Sequence, residues 1–300
     1  MKAVYKREIQ AYLHNVYGFL FAAVLLLVFG FMIFMFNLNP NYLLSDMMYS
    51  FMYGEIALIL MVPILCMRAM SEDKRNKTDL FYLSLPMRTG SVVLGKYLAL
   101  LTVFAIPTLI ICIYPLILSL YGNVNLLHTY TGIFMFYLLG ASLMAICMYM
   151  SSLTEHMVVS AVLGVMACGV TYFLPMLAEL LPVSALSSYV TLVVIALLVC
   201  VAVYFFAKSL TVALITASAT LVPLSVAFVV GEIMVKNGKL QTSFMSGLTY
   251  WLFYNISPFF QFESTYNNCT FDIFSVIMML SIVAVFLSLT IQQVDRRRWA

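Results

Sequence analysis

Apolar runs of about 20 residues, the length that crosses a ~30 Å hydrocarbon core, recur along the whole chain between short stretches of charge and turn residues. Cutting at those stretches predicts eight membrane-spanning helices, near 17–38, 48–68, 92–121, 131–151, 157–181, 187–207, 209–230 and 271–292. The first run is longer than a signal-peptide core and has no small-residue cleavage site before Pro40, so it reads as a retained span. The third exceeds one straight crossing. Gly95, Pro107 and Pro115 within it predict a helix that starts in the interface and bends, because neighbouring helices can satisfy the backbone groups such breakers free. Little more than Lys208 and Ser209 separates 187–207 from 209–230, which predicts a tight hairpin.

Three segments between the spans carry a pattern of their own. At the start, Met1, Tyr5, Ile9, Tyr12 and Val16 recur at helical spacing with Lys2, Lys6, Arg7, Gln10 and His14 turned away. That predicts an interfacial helix over 1–16, or equally a positive anchor that only sets topology. Between spans two and three, Ser71 is placed to cap a helix whose first turn holds Glu72 and Asp73. Lys74, Arg75 and Lys77 follow, then Leu80, Phe81 and Leu83 as an apolar face, and Pro86 as a stop. This reads as a short amphipathic helix over 71–84; composition alone allows a solvated basic loop as well. The segment 232–270 holds Phe244, Tyr250, Trp251, Phe253, Tyr254, Phe259, Phe260 and Phe262, rings that favour the headgroup level, so it is expected to lie along or dip into the outer interface, with a disordered loop as the alternative.

Composition turns this pattern into a fold class. Hydrophobic residues make up 64% of the chain, charged ones 9%, and mean hydropathy is +1.04, too little polar surface for a soluble globule. The expectation is all-α, one polytopic membrane helix bundle over 1–300. Charge sets its sidedness. With the N-terminus inside, thirteen of the fifteen Lys and Arg residues fall on the cytoplasmic side, leaving only Lys236 and Lys239 outside. This is the asymmetry that retains positive loops in the cytoplasm, and it places both termini there.

Chemistry is sparse. Cys66, Cys112, Cys147, Cys168, Cys200 and Cys269 are scattered without a CxxC pair and read as small buried hydrophobes. His14, His128 and His156 fall in different loops and cannot share a metal. No G-x-x-x-x-G-K-[ST], GxSxG or HExxH occurs, so nucleotide hydrolysis must come from another chain. Charges at membrane depth are functional candidates because burying them is costly. Glu55 lies about 10 Å, two helical turns, below the outer end of the second span. It is a candidate cavity or gate residue, able to contact cargo or pair with another helix; the alternative is a carboxylate reaching the outer headgroups or titrated neutral. Glu179 and Asp272 lie close enough to span ends to snorkel.

Residues 67–97 resemble the permease subunits of type 2 ATP-binding-cassette exporters, especially the bacterial gliding-motility-associated group. The likeness rests on Met67-Arg68, Ser71-Glu72, Lys77-Thr78-Asp79, Leu83-Ser84-Leu85-Pro86 and Val93-Leu94-Gly95-Lys96-Tyr97. Similar elements are Met1 to Glu8, Ser151 to Glu155, Ser257-Pro258 through Phe260-Gln261-Phe262-Glu263, Phe271-Asp272 and Arg297-Arg298-Trp299. The chain departs from that group's six spans by the hairpin 187–230. The resemblance implies a coupling helix between spans two and three that seats in a separate cytoplasmic ATPase, with Ser71, Glu72, Lys74, Arg75, Lys77, Thr78, Leu80, Phe81 and Pro86 at the contact. It further implies ATP and Mg on that partner and no cofactor in this chain. Pairing with a second copy or a related permease, a bilayer setting without nucleic acid, and export across the bacterial cytoplasmic membrane complete the expectation. Two other classes compete. An intramembrane hydrolase or lipid-linked transferase needs converging polar groups at membrane depth, where only Glu55 is found. A secondary transporter would show paired broken helices in matching halves.

Overall fold

The computed structural model describes residues 2–38, 47–78, 89–120, 123–180, 184–207, 223–225, 228–230, 235, 247–267 and 271–299. Among them there are helices and no strands. The elements are α1 (Lys2–Leu13), α2 (Val16–Met32, continued by a π turn Ile33–Asn37), α3 (Met48–Arg75), α4 (Thr89–Ile111), α5 (Tyr114–Ser119) and α6 (Leu126–Leu153). They continue with α7 (Met157–Leu180), α8 (Ala185–Ala207), α9 (Leu248–Ile256), α10 (Pro258–Asn267) and α11 (Ile273–Trp299). Six stretches among the described residues are long and apolar enough to cross a membrane: Val16–Asn37, Met48–Arg75, Thr89–Ser119, Leu126–Leu153, Met157–Leu180 and Ile273–Arg296. Each coincides with a predicted span. Of the predicted hairpin, the first arm is present as the 23-residue helix α8. The second arm, 209–230, lies outside the described residues except at 223–225 and 228–230, as do Lys208, Lys236 and Lys239.

The chain divides into two compact units, Met1–Tyr172 with Pro258–Ala300, and Phe173–Ser257. In the first, α6 is the central helix. It packs against α3, α4, α10 and α11, while α2 packs on α3 and α4, and α1 on α4 and α2. Small residues on facing helices allow the approach: a Cβ at Gly54 of α3 would meet Phe29 at 2.7 Å, and one at Gly132 of α6 would meet Tyr266 at 2.8 Å. Phenylalanines fill the space between. Phe29 meets Phe51 and Phe136 edge-on at 5.8 and 5.2 Å, and Phe51 meets Phe262 at 5.7 Å, arrangements that ring quadrupoles favour.

The bend expected in the third run is present as a break: α4 stops at Ile111, and α5 starts with Pro115 in its first turn, where a missing N–H costs nothing. The aromatic segment differs from expectation. Phe259 and Phe262 are not interfacial rings; both are 2% exposed and pack into the first unit from α10. In the second unit, α8 and α9 pack together, joined by a Ser188–Thr249 hydroxyl hydrogen bond of 3.2 Å.

Candidate functional site

α3 does not end with its apolar residues but runs on through Arg68 to Arg75. Ser71 is therefore inside a helix, which corrects the expected N-cap: its hydroxyl donates to the carbonyl of Met67 one turn back. A cap needs a non-helical backbone ahead of unpaired N–H groups, and here the helix of span two already supplies both neighbours. What ends the helix is Lys77, in the left-handed region at φ 55°. Its N–H donates to the Lys74 carbonyl at 3.2 Å, and the next N–H, of Thr78, reaches the Asp73 carbonyl at 2.9 Å. This is the closing pattern usually built on glycine. The Thr78 hydroxyl also donates to Asp73 Oδ1 at 2.9 Å.

Behind this tip lies a junction of buried charge. Lys96 of α4 is 3% exposed. Its ammonium donates to the Ala69 carbonyl at 2.5 Å and to Asp73 Oδ2, and lies 3.5 Å from Glu8 Oε1 of α1. Two hydrogen bonds and a second carboxylate within ion-pair range thus surround the ammonium, the condition under which a buried charge is tolerated. Arg7 adds a second cation, 2.6 Å from Glu8 and 3.9 Å from Asp73. α6 joins through Ser151, whose hydroxyl accepts from the N–H groups of Met70 and Ser71, each at 3.2 Å, and donates to the Met67 carbonyl. Lys74 donates to the Ser152 carbonyl, a cation at the negative end of the α6 dipole. Arg68 grips Glu72 with two bonds of 2.7 Å and covers the Tyr17 ring at 5.1 Å. Beside them Tyr12 of α1 is 6% exposed, and burial above all, with Cys66 and Glu8 adding to it, pushes its phenol well above the ordinary range. It stays a neutral packing group.

At the other candidate, Glu55 is 2% exposed, which corrects the picture of a carboxylate reaching headgroups. No hydrogen bond or ion pair among the described residues reaches it.

The sequence model for ABC-2 family transporter proteins matches residues 14–210. The chain belongs to the ABC-2 transporter family. No curated protein and no solved structure matches it. This ABC-2 chain is accordingly a multi-pass membrane protein and a transporter permease rather than an enzyme in its own right. The family implies a bilayer setting and a cytoplasmic ATP-binding-cassette ATPase as partner.

Of the residues singled out in the permease sequence, the fold brings Ser71, Glu72, Lys74 and Thr78 into the junction and leaves Arg75 and Lys77 exposed at the tip of α3. Leu80, Phe81 and Pro86 lie outside the described residues. Glu8, Asp73, Lys96 and Ser151 carry more of the site than their sequence context suggested. A signal existed for one of them: Lys96 lies within an apolar run, where a charge requires buried partners. Glu179 and Asp272, expected to snorkel, have partners, Tyr254 donating to Glu179 at 2.7 Å and Asp272 capping α11 through the Phe274 N–H at 3.0 Å. Among the described residues no three His, Cys, Asp or Glu side chains gather to hold a metal.

Proposed function

We propose that this ABC-2 permease is the membrane half of an exporter of the bacterial cytoplasmic membrane, closest to the gliding-motility-associated group. A separate ATPase docks where α3 ends. The observation that carries this reading is the junction of Lys96, Asp73 and Glu8, lying directly behind the exposed Arg75 and Lys77. A push on the tip of α3 is delivered at once to α1, α4 and α6, because the buried ionic and backbone contacts cannot slide without leaving charges unpaired. Beyond the tip, Leu80 and Phe81 supply an apolar anchor for a pocket on the ATPase, Arg75 and Lys77 a charged rim, and Pro86 the end of the docking segment.

ATP and Mg are held by the partner, whose closure biases the permease between two states. A second copy, or a related permease, completes the pathway. The thirteen-to-two distribution of positive residues supports placing the junction and both termini in the cytoplasm.

The test is co-purification with the cytoplasmic ATPase. Leu80→Asp with Phe81→Asp is expected to abolish the complex while the permease remains folded; an intact complex would remove the docking assignment.

A further inference from the structure

α1 leaves the first span at a built corner. Asn15 is extended, at φ −108° and ψ 149°, and its side chain accepts from the Val16 N–H at 2.9 Å, starting α2. The Tyr12 carbonyl comes so close to α2 that a Cβ at Gly18 would lie 2.5 Å from it. The inner face of α1 is taken by protein: Tyr12 and Glu8 are buried, Val4 and Tyr5 half-buried, and Glu8 reaches Lys96 of the junction.

A different stripe is left outside. Lys2, Lys6, Ile9 and Leu13 follow at spacings of four, three and four, so they share one side of the helix. The two lysines and Leu13 are exposed and Ile9 is half-buried. Glu8, the one acid on α1, is held by Arg7 and Lys96, and no acidic side chain among the described residues pairs with Lys2 or Lys6. Past the corner the crossing Val16–Asn37 begins, exposing Val16, Phe19 and Leu20 as a helix does that meets acyl chains. The stripe thus carries its aliphatic pair next to the start of a span and its cations further out.

That order matches a phospholipid at the boundary between headgroup and acyl chain, with aliphatic side chains inserted and lysine stems carrying ammonium groups to the phosphates. Net charge chooses among lipids: a zwitterionic headgroup brings its own cation, whereas an anionic one complements both lysines. We propose that the Lys2–Lys6–Ile9–Leu13 stripe binds an anionic phospholipid, which holds α1, and with it Glu8, against the junction. The ATPase docking reading is not needed for this.

The full-length permease in a neutral detergent is titrated with phosphatidylglycerol or phosphatidylcholine, and bound lipid is read by native mass spectrometry. Wild type is expected to bind phosphatidylglycerol more tightly, with affinity falling about fivefold for each lysine lost in Lys2→Gln with Lys6→Gln. Lys2→Arg with Lys6→Arg should restore it. Lys236→Gln with Lys239→Gln removes the same charge elsewhere and should leave it unchanged. Phosphatidylglycerol should also raise the unfolding temperature of wild type but not of the double Gln variant, whose unfolding in phosphatidylcholine checks its fold. Equal affinity in wild type and the double Gln variant overturns the proposal, as does equal loss in the Lys236 and Lys239 control. Displacement of the lipid by millimolar inorganic phosphate assigns the lysines to a free anion and overturns the lipid. Binding without a rise in unfolding temperature removes the link to the junction. Failure of the docking reading would instead appear as an ATPase complex insensitive to Leu80 and Phe81, with lipid binding unchanged.

Discussion

Lys96 of α4 and Asp73 of α3 form an ion pair in the interior of the first unit, with the lysine 3% exposed and the aspartate side chain 17% exposed. Removing one partner leaves the other charged and enclosed. Lys96→Met is expected to cost about 3–5 kcal/mol, more than any surface substitution, and Asp73→Asn somewhat less because Glu8 still faces the lysine. Thermal unfolding of the purified variants measures this. If Lys96→Met unfolds at the wild-type temperature, the junction is not a structural joint.

Ser151 binds α6 to α3 through backbone groups alone, so its loss should be felt without any change of charge. Ser151→Ala withdraws the acceptor from the Met70 and Ser71 N–H groups and is expected to destabilise by about 1–2 kcal/mol. Hydrogen exchange at those two amides gives a sharper readout: their protection should fall while that of Leu58 and Val62, deeper in α3, is kept.

The left-handed backbone at Lys77 predicts a gain. Lys77→Gly relieves a conformation that costs an L-residue about 1 kcal/mol, and the unfolding temperature should rise. Lys77→Val should lower it, because branching at Cβ makes that region still less accessible.

Charge at the tip can be separated from stability. Arg75→Glu with Lys77→Glu changes two exposed side chains, so the unfolding temperature should stay close to wild type while ATPase association weakens by about tenfold or more. The same assay in 0.5 M salt should weaken the wild-type complex in the same direction. Salt-insensitive association would argue for an apolar contact alone.

The close approach of α6 to α10 predicts a steric effect. Gly132→Ala brings a methyl to 2.8 Å from the Tyr266 ring, and overpacking of this kind costs about 1–3 kcal/mol. Gly90→Ala is the control, since its added Cβ finds only ordinary contact, at 3.6 Å.

Six spans were legible because a bilayer imposes one simple demand, about 20 apolar residues with internally paired backbone. That demand is written locally in runs such as Val16–Asn37 and Leu126–Leu153. Parts of the site were not legible for the opposite reason. Ser71 followed by Glu72 and Asp73 reads as a helix start by any local rule; only the continuation of α3 makes it an interior residue. Phe259 and Phe262 read as interfacial until α10 is seen packing on α6.

By itself, then, the sequence determined the membrane class, the positions of six helices long and apolar enough to cross, and the break near Pro115, all properties of a segment and its solvent. Tertiary structure decided which charges meet. Glu8, Asp73 and Lys96 are far apart in the chain and carry no joint signature, yet an enclosed ammonium requires acceptors from whichever helices surround it, and packing of α1, α3 and α4 brings them together. The same packing enclosed Glu55 and placed no described cation beside it.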